Sequence, residues 1–369
     1  MVSSARSLVP TEAARDHRSF AGGHGSEVFT AAATRLRRSV AYDMAVWHGT
    51  DPFTLMPTSP TLIENVPRGH CARYWEHEFQ TEDVMLFRDL ARARVPVTTL
   101  HTATDGCPAR SARFRDFLAP LGYGDQLRST FRLGGRVWGH VDLLRDQGRP
   151  PFSPRDIAAV AAMGAPLAGE LAALAQRESP GVCSDVPEGP GTAVFDGAGE
   201  LSTLDDRADH WFTELAGADW QAEEALLGPM SALVARARAV ASGRDRGPAD
   251  ARVQTRDGRW LVLHASALRG HGGANASTVV VVQPARLAEI APILAEAYAL
   301  TPREREIACA LGRGASNAEI AGELYLSQHT VRDHLKTIFT KVGVTSRGEL
   351  AARLFADEQR PSMRSLGVA

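Results

Sequence analysis

TPREREIACALGRGASNAEIAGELYLSQHTVRDHLKTIFTKVGVTSRGELAARLF, residues 301–355, decides how the chain is read. Four helix starts follow one another in it. Thr301-Pro302-Arg303-Glu304 sets a hydroxyl at the N-cap, a proline at the first helical position, where its missing N–H costs nothing, and an acid three residues after the cap. Ser316-Asn317-Ala318-Glu319 and Ser346-Arg347-Gly348-Glu349 repeat this capping box, and Ser327-Gln328-His329-Thr330 offers the cap without the acid. Gly312 and Gly314 stop the first segment, and Gly343 stops the third. Between these marks the apolar residues keep helical spacing: Ile307 and Leu311; Ile320, Ala321 and Leu324; Val331, Leu335, Ile338, Phe339 and Val342; Leu350, Ala351 and Leu354. Only Tyr325, Leu326 and Ser327 join the second segment to the third. So short a connection, with Leu326 turned back into the core, predicts a helix-turn-helix.

On the third helix, His329, Arg332, Asp333, Lys336 and Thr340 fall three or four positions apart and share a face, with Gln328 and Thr337 beside it. Such a face carries donors and cations and can lie in a DNA major groove. The chain has only two lysines, Lys336 and Lys341, and both lie on this helix, while every other strong cation is arginine. Arginine's bulk and bidentate geometry make the two types poor substitutes for each other.

Leu300 to Glu304, Ser316 to Ala321, Leu326 to Leu335 and Ile338 to Val344 together resemble the C-terminal DNA-binding domain of LuxR-type bacterial transcriptional regulators. The resemblance covers the segment without a gap. It implies that the third helix enters the major groove, with Arg332, Asp333 and Lys336 facing bases and Ser327, Thr330 and Lys341 holding phosphates. Gln328, His329 and Thr337 complete the DNA-binding set. Asp333 is a departure: it could accept from a cytosine amino group or pair with Lys336 or Arg332. The competing reading is a four-helix packing module with a solvated charged face.

At 369 residues, two or three domains are expected. Net charge is −2, but residues from Thr301 onward are about two units positive and the rest about four negative. A weakly basic module predicts modest affinity per protomer, hence binding to double-stranded DNA as a homodimer. No apolar run follows the N-terminal arginine, so neither a secretory signal nor a membrane span is expected there. Cys71, Cys107, Cys183 and Cys309 are scattered with no Cys-x-x-Cys pair. They indicate no zinc ribbon and no disulfide framework, and the expected location is a bacterial cytoplasm.

Working forward from the start, residues 1–25 are polar and aperiodic and are expected to be disordered. Helices are predicted at Glu27 to Val40, Cys71 to Phe79, Val84 to Ala93 and Ser111 to Leu118, and strands at Ala41 to His48, Phe53 to Met56 and Val95 to Leu100. Pro57 to His70 reads as loop. Gly134-Gly135 between two apolar runs, Gln126 to Leu133 and Arg136 to Leu144, predicts a hairpin. Pro154 opens a helix running to about Gln176. This α+β order over 26–177, with Leu121 to Leu127 through Pro151 to Ser153, resembles the GAF-like sensory domain of actinobacterial LuxR-type regulators. Residues 178–191 read as linker. Over 192–284, two strands, helices at Asp205 to Leu215 and Pro229 to Ala241, an Asp257-Gly258 hairpin and a last strand resemble a PAS-like domain. Residues 285–299 are expected to form a linker helix striped by Leu287, Ile290, Leu294 and Ala297, dimerising or signal-transmitting, or else packed against the preceding sheet. The helix-turn-helix domain spans 300–357, and 358–369 is a tail. The fold class is multidomain: α+β sensory domains, then an all-α four-helix DNA-binding domain.

The front half contains no Gly-x-Ser-x-Gly elbow, phosphate-cradling loop or His-Glu-x-x-His, and no metal or cofactor is expected. Trp47, Tyr74, Trp75, Phe79 and Trp138, with polar tips such as Arg73 or His140, are candidate walls of a small-molecule cleft, or else simply core. The reading is a DNA-binding transcriptional regulator, not an enzyme, whose front half responds to a small molecule or partner. RNA polymerase is a further candidate partner and a membrane is not. The alternatives are a thiol-dependent enzyme using Cys71 beside His70, or Cys107, with a docking tail, and an orphan regulator without a ligand.

Overall fold

In a computed structural model of the chain, the described residues are 17–22, 25–177, 189–221, 224–269 and 275–355. Cys183 and most of the expected linker and tail lie outside them.

The first unit comprises β1 (His17–Gly22), α1 (Glu27–Leu36), β2 (Met44–Thr50), β3 (Pro57–Pro67), α2 (Cys71–Phe79), α3 (Phe87–Leu90), β4 (Val97–Thr99), α4 (Leu100–Ala103), β5 (Tyr123–Leu133), β6 (Arg136–Asp146) and α5 (Pro154–Ala175). Its antiparallel sheet runs β1-β3-β2-β6-β5-β4. The β5–β6 hairpin turns on Gly134 and Gly135, whose φ values of 60° and 81° are those a two-residue turn of this hand requires. α5 starts where its cap chemistry puts it: Ser153 Oγ accepts from Asp156 N, and Asp156 reaches back 2.7 Å to Ser153 N. By length and composition α5 could cross a membrane. Here it buries Val160, Leu167, Leu171 and Leu174 against the same core as α1.

Four expectations are corrected in this unit. His17–Gly22 was expected to be disordered and is a strand on β3, because edge pairing is made by backbone groups that a polar, aperiodic sequence supplies equally well. Pro57 to His70 was expected to be loop, yet Pro57–Pro67 is a central strand. His48 pairs with Thr61 and Gly49 with Thr58, so Ser59 and Pro60 bulge out of the ladder where proline's missing donor is not needed. Phe53 to Met56 is a turn, fixed by Asp51 Oδ1 accepting from Phe53 N at 2.9 Å and Thr54 N at 3.2 Å. The helix read over Val84 to Ala93 shrinks to Phe87–Leu90.

The second unit comprises β7 (Gly191–Phe195), β8 (Leu201–Leu204), α6 (Asp206–Ala216), α7 (Glu224–Ala241), β9 (Asp250–Gln254), β10 (Trp260–Arg269) and β11 (Asn275–Pro284), with sheet order β8-β7-β11-β10-β9. Its core holds Trp211, Phe212, Trp220, Leu233, Leu261 and Val280. The Asp257-Gly258 hairpin forms, but only Gly258 takes positive φ (82°). Thr255 N donates to Arg259 O at 2.8 Å across a three-residue loop, the form in which a type I turn ends on a left-handed glycine.

α8 (Leu287–Ala297) leads into α9 (Pro302–Gly312), α10 (Asn317–Glu323), α11 (Gln328–Val342) and α12 (Arg347–Phe355). Ile307, Ile320, Val331, Ile338 and Leu350 are fully buried where these four helices meet. α8 buries Ile290 and Leu294 in this helical core and Ile293 and Ala297 in the core of the first unit. It is a wedge between two cores, rather than a helix laid on the preceding sheet.

Candidate nucleic-acid interface and front cleft

The turn between α10 and α11 is closed by Leu326 N donating to Ala321 O at 2.9 Å, with Tyr325 at φ 55° and its side chain 95% exposed. Sequence reasoning gave Tyr325 no role beyond the connection. Its signal was an aromatic placed where the turn points outward. Ser327 Oγ accepts from Thr330 N at 3.0 Å and lies 2.8 Å from Thr330 Oγ1, so both hydroxyls gather at the start of α11. That end carries the positive pole of the helix dipole and suits a phosphate.

Gln328, His329, Arg332, Asp333, Lys336 and Thr337 are all exposed, with Thr330 half-buried at the edge. Arg332 Nε leans 3.4 Å from Gln328 O, and Thr337 Oγ1 donates to Asp333 O at 3.1 Å. Asp333 pairs with neither cation offered to it by spacing. Its carboxylate sits 3.0 Å from His329 Nδ1, one turn back. The Lys336 ammonium has no hydrogen bond or ion pair among the described residues.

Lys341 differs. Its ammonium donates to Glu304 at 2.7 Å and to Ala299 O at 2.9 Å, tying the end of α11 to the start of α9. Burial works to raise the Glu304 pKa, but hydrogen bonds from Lys341 and Thr301 outweigh it and hold the carboxyl below its ordinary range. The capping boxes at Thr301 and Ser316 are reciprocal as read. At the fourth start Ser346 Oγ accepts from Glu349 N at 3.1 Å as read, and the Glu349 carboxylate also reaches one residue further back, to Thr345 N at 2.7 Å.

Residues 298–354 match the family described as bacterial regulatory proteins, luxR family. This segment is a LuxR-family helix-turn-helix domain. The chain is 38% identical over 100 residues to the probable HTH-type transcriptional regulator GfsR of Streptomyces halstedii, covering 25% of this chain and 40% of that protein. It is 48% identical over 52 residues to the CsgBAC operon transcriptional regulatory protein of Escherichia coli, covering 14% and 24%. It therefore spans well under half the length of these relatives. The solved GAF domain of a two-component sensor histidine kinase from Bacillus halodurans aligns with 40% of this chain and 92% of that one, at 15% identity and a TM-score of 0.25, a superposition too loose to bear on function.

In the first unit the five candidate aromatics do not share one cleft. Alternation along β2 and a bulge in β6 turn Trp47 and Trp138 toward α1 and α5, where they are core alongside Phe29 and Phe131. Tyr74 and Trp75 are carried by α2 on the opposite face of the sheet and line a cavity there. Phe79 stacks on Trp75 (5.9 Å, 22°) at the border with the second unit. Arg73 is spent on Asp116 O. Cys71 and His70 both line the same cavity, the His70 ring packing edge-on to Phe117 at 6.0 Å. Cys107 is exposed.

A buried ionic cluster beside this cavity was missed by the sequence reading. Arg128, fully buried, donates to Asp142 at 2.9 Å, Glu78 at 2.6 Å and Tyr74 OH at 2.9 Å. Tyr74 OH donates to Asp142 at 2.7 Å, Gln126 donates to both Asp142 oxygens, and Arg113 reaches Glu78 at 3.4 Å. The charges close on one another and hold α2 to β5 and β6.

Proposed function

We propose that the chain is a DNA-binding transcriptional regulator. The observation that carries this is the exposed polar face of α11, with an unpartnered Lys336, inside the LuxR-family segment. Arg332, Asp333 and Lys336 read bases. Ser327, Thr330 and the α11 N-terminus hold phosphate, with Gln328, His329 and Thr337 at the margins. Lys341 positions the helix through Glu304 and has one N–H left for a phosphate. The protein binds as a dimer to two half-sites.

The front units supply the signal. Glu296 on α8 accepts from Arg136 of β6 at 3.2 Å and from Arg305 of α9, and Gln176 at the end of α5 donates to Ala297 O at 2.7 Å. A shift in the first unit therefore reaches the helical unit through α8, biasing one arrangement over another.

Genome-wide mapping of bound sites followed by footprinting tests this reading. Two protected half-sites roughly one helical turn apart are expected. Protection of a single half-site removes the dimer, and no sequence preference removes the regulator. Lys336→Ala is expected to weaken binding by about 1–3 kcal/mol and to relax preference at one base pair. Equal weakening on every sequence would mark Lys336 as a phosphate contact instead.

A further inference from the structure

Under α2, on the sheet face opposite α1 and α5, lies a cavity of about 50 Å³ walled by Met44, Val46, Ile63, Trp75 and Leu144. Among the described residues, no Asp, Glu, Lys or Arg lines it. Arg128 and Asp142, which touch the Tyr74 hydroxyl, are satisfied within their own cluster with Glu78. Its walls are mainly apolar, and its polar groups are neutral: the imidazoles of His48 and His70, the hydroxyls of Tyr74 and Tyr123 and the thiol of Cys71.

His48, 2% exposed, is part of the wall. Its Nδ1 is 3.1 Å from Thr61 Oγ1, and its Nε2 makes no hydrogen bond with the described residues. Behind it His140, also 2% exposed, stacks 3.9 Å from Phe87 and lies 5.4 Å from the His48 ring, and neither of its nitrogens has a hydrogen-bond partner among the described residues. The two buried His140 nitrogens are costly to leave this way, and His48 Nε2, on the cavity side, is the imidazole nitrogen a ligand can reach. The open edge of His48 faces the second unit: a Cβ on Gly228 of α7 would stand 3.7 Å from His48 Cε1 and 4.0 Å from Nε2. Gly228 lines the cavity too.

We infer that this cavity is the binding site of a small, uncharged, mainly apolar molecule carrying one neutral hydrogen-bonding group, which meets His48 Nε2 beside Gly228. Charged ligands are refused because no described wall residue carries a charge to compensate them in an apolar enclosure. The cavity holds a few waters' worth of space, so the ligand is small or inserts one end. Its polar end lies where α7 closes the site, so occupancy bears on the contact between the two α+β units. This rests on the front half being the sensing part of the proposed regulator.

The test uses the full chain and four probes with one ring in common: benzyl alcohol, toluene, benzoate and benzylammonium, followed by saturation-transfer NMR and titration calorimetry. Saturable binding of benzyl alcohol is expected, with toluene about tenfold weaker for want of the hydrogen bond and both ions weaker still. His48→Phe should erase the alcohol's advantage over toluene. Gly228→Leu should block both, whereas Gly228→Ala, whose methyl meets only ordinary contacts, should not. Equal binding of the ions, an advantage that survives His48→Phe, or no saturable binding of the alcohol overturns the inference. Footprinting of the same samples separates the two readings: sequence-specific DNA binding without probe binding sinks only this site, and probe binding without DNA binding sinks only the regulator.

Discussion

Arg128→Met is expected to destabilise the first unit by about 3–5 kcal/mol, read as a lowered urea midpoint at unchanged slope. The substitution keeps most of the side-chain volume, so a cavity is not the cause. What it removes is the one cation that touches both Glu78 and Asp142, which are 3% and 1% exposed. Arg113 stays 3.4 Å from Glu78 and cannot reach both acids in its place. An uncompensated buried carboxylate is the costly species, not the loss of an ion pair as such. The companion variant Arg128→Met with Glu78→Gln and Asp142→Asn should therefore recover most of the loss. If the triple variant is as unstable as the single one, packing rather than charge explains the effect. Tyr74 OH is held by Arg128 and Asp142, so the single variant should also loosen α2 over the front cavity.

The cluster was not legible in the sequence, for a definite reason. Gln126, Arg128 and Thr130 alternate with Leu127, Ser129 and Phe131 along β5, the pattern of a strand with one wet face. That face is in fact covered by α2, and the acid that makes burial tolerable, Glu78, lies 50 residues away from Arg128. Periodicity reports which residues share a face but not what lies on it. The same gap explains α8, whose stripe announced burial without saying that two cores share it, and Trp47, whose face is fixed by strand register. The helix-turn-helix segment was legible because its signals are local. Thr301, Ser316 and Ser327 each cap the helix that begins one residue later, and Gly343 ends α11 with φ 72°. β3 was hidden by Pro60, which reads as a breaker until a bulge accommodates it. Tertiary pairing overrode local preference there and at His17–Gly22.

The paired histidines carry the second large effect. Burial pushes His48 down from 6.5 to about 3. Burial, then the neighbouring His48 and Arg128, pushes His140 well below its ordinary value. In the unfolded chain both take up a proton near pH 6.5. Between that value and the depressed folded ones, the unfolded form binds more protons, so stability falls as pH falls. Above it both forms are neutral and the contribution is fully present. Going from pH 7.5 to about pH 5 should thus cost about 2 kcal/mol per histidine, before most carboxylates titrate. His48→Phe should retain about 2 kcal/mol of that loss at pH 5. A wild-type urea midpoint that stays flat over this interval would mean that His48 takes up its proton inside the folded protein, with water reaching it. A charged imidazole there would also contradict the selectivity inferred for the cavity, since a wall bearing a cation would favour benzoate over benzyl alcohol. The pH profile and the probe series therefore interrogate one physical state, a neutral His48 with a free Nε2, by two routes that do not share a readout.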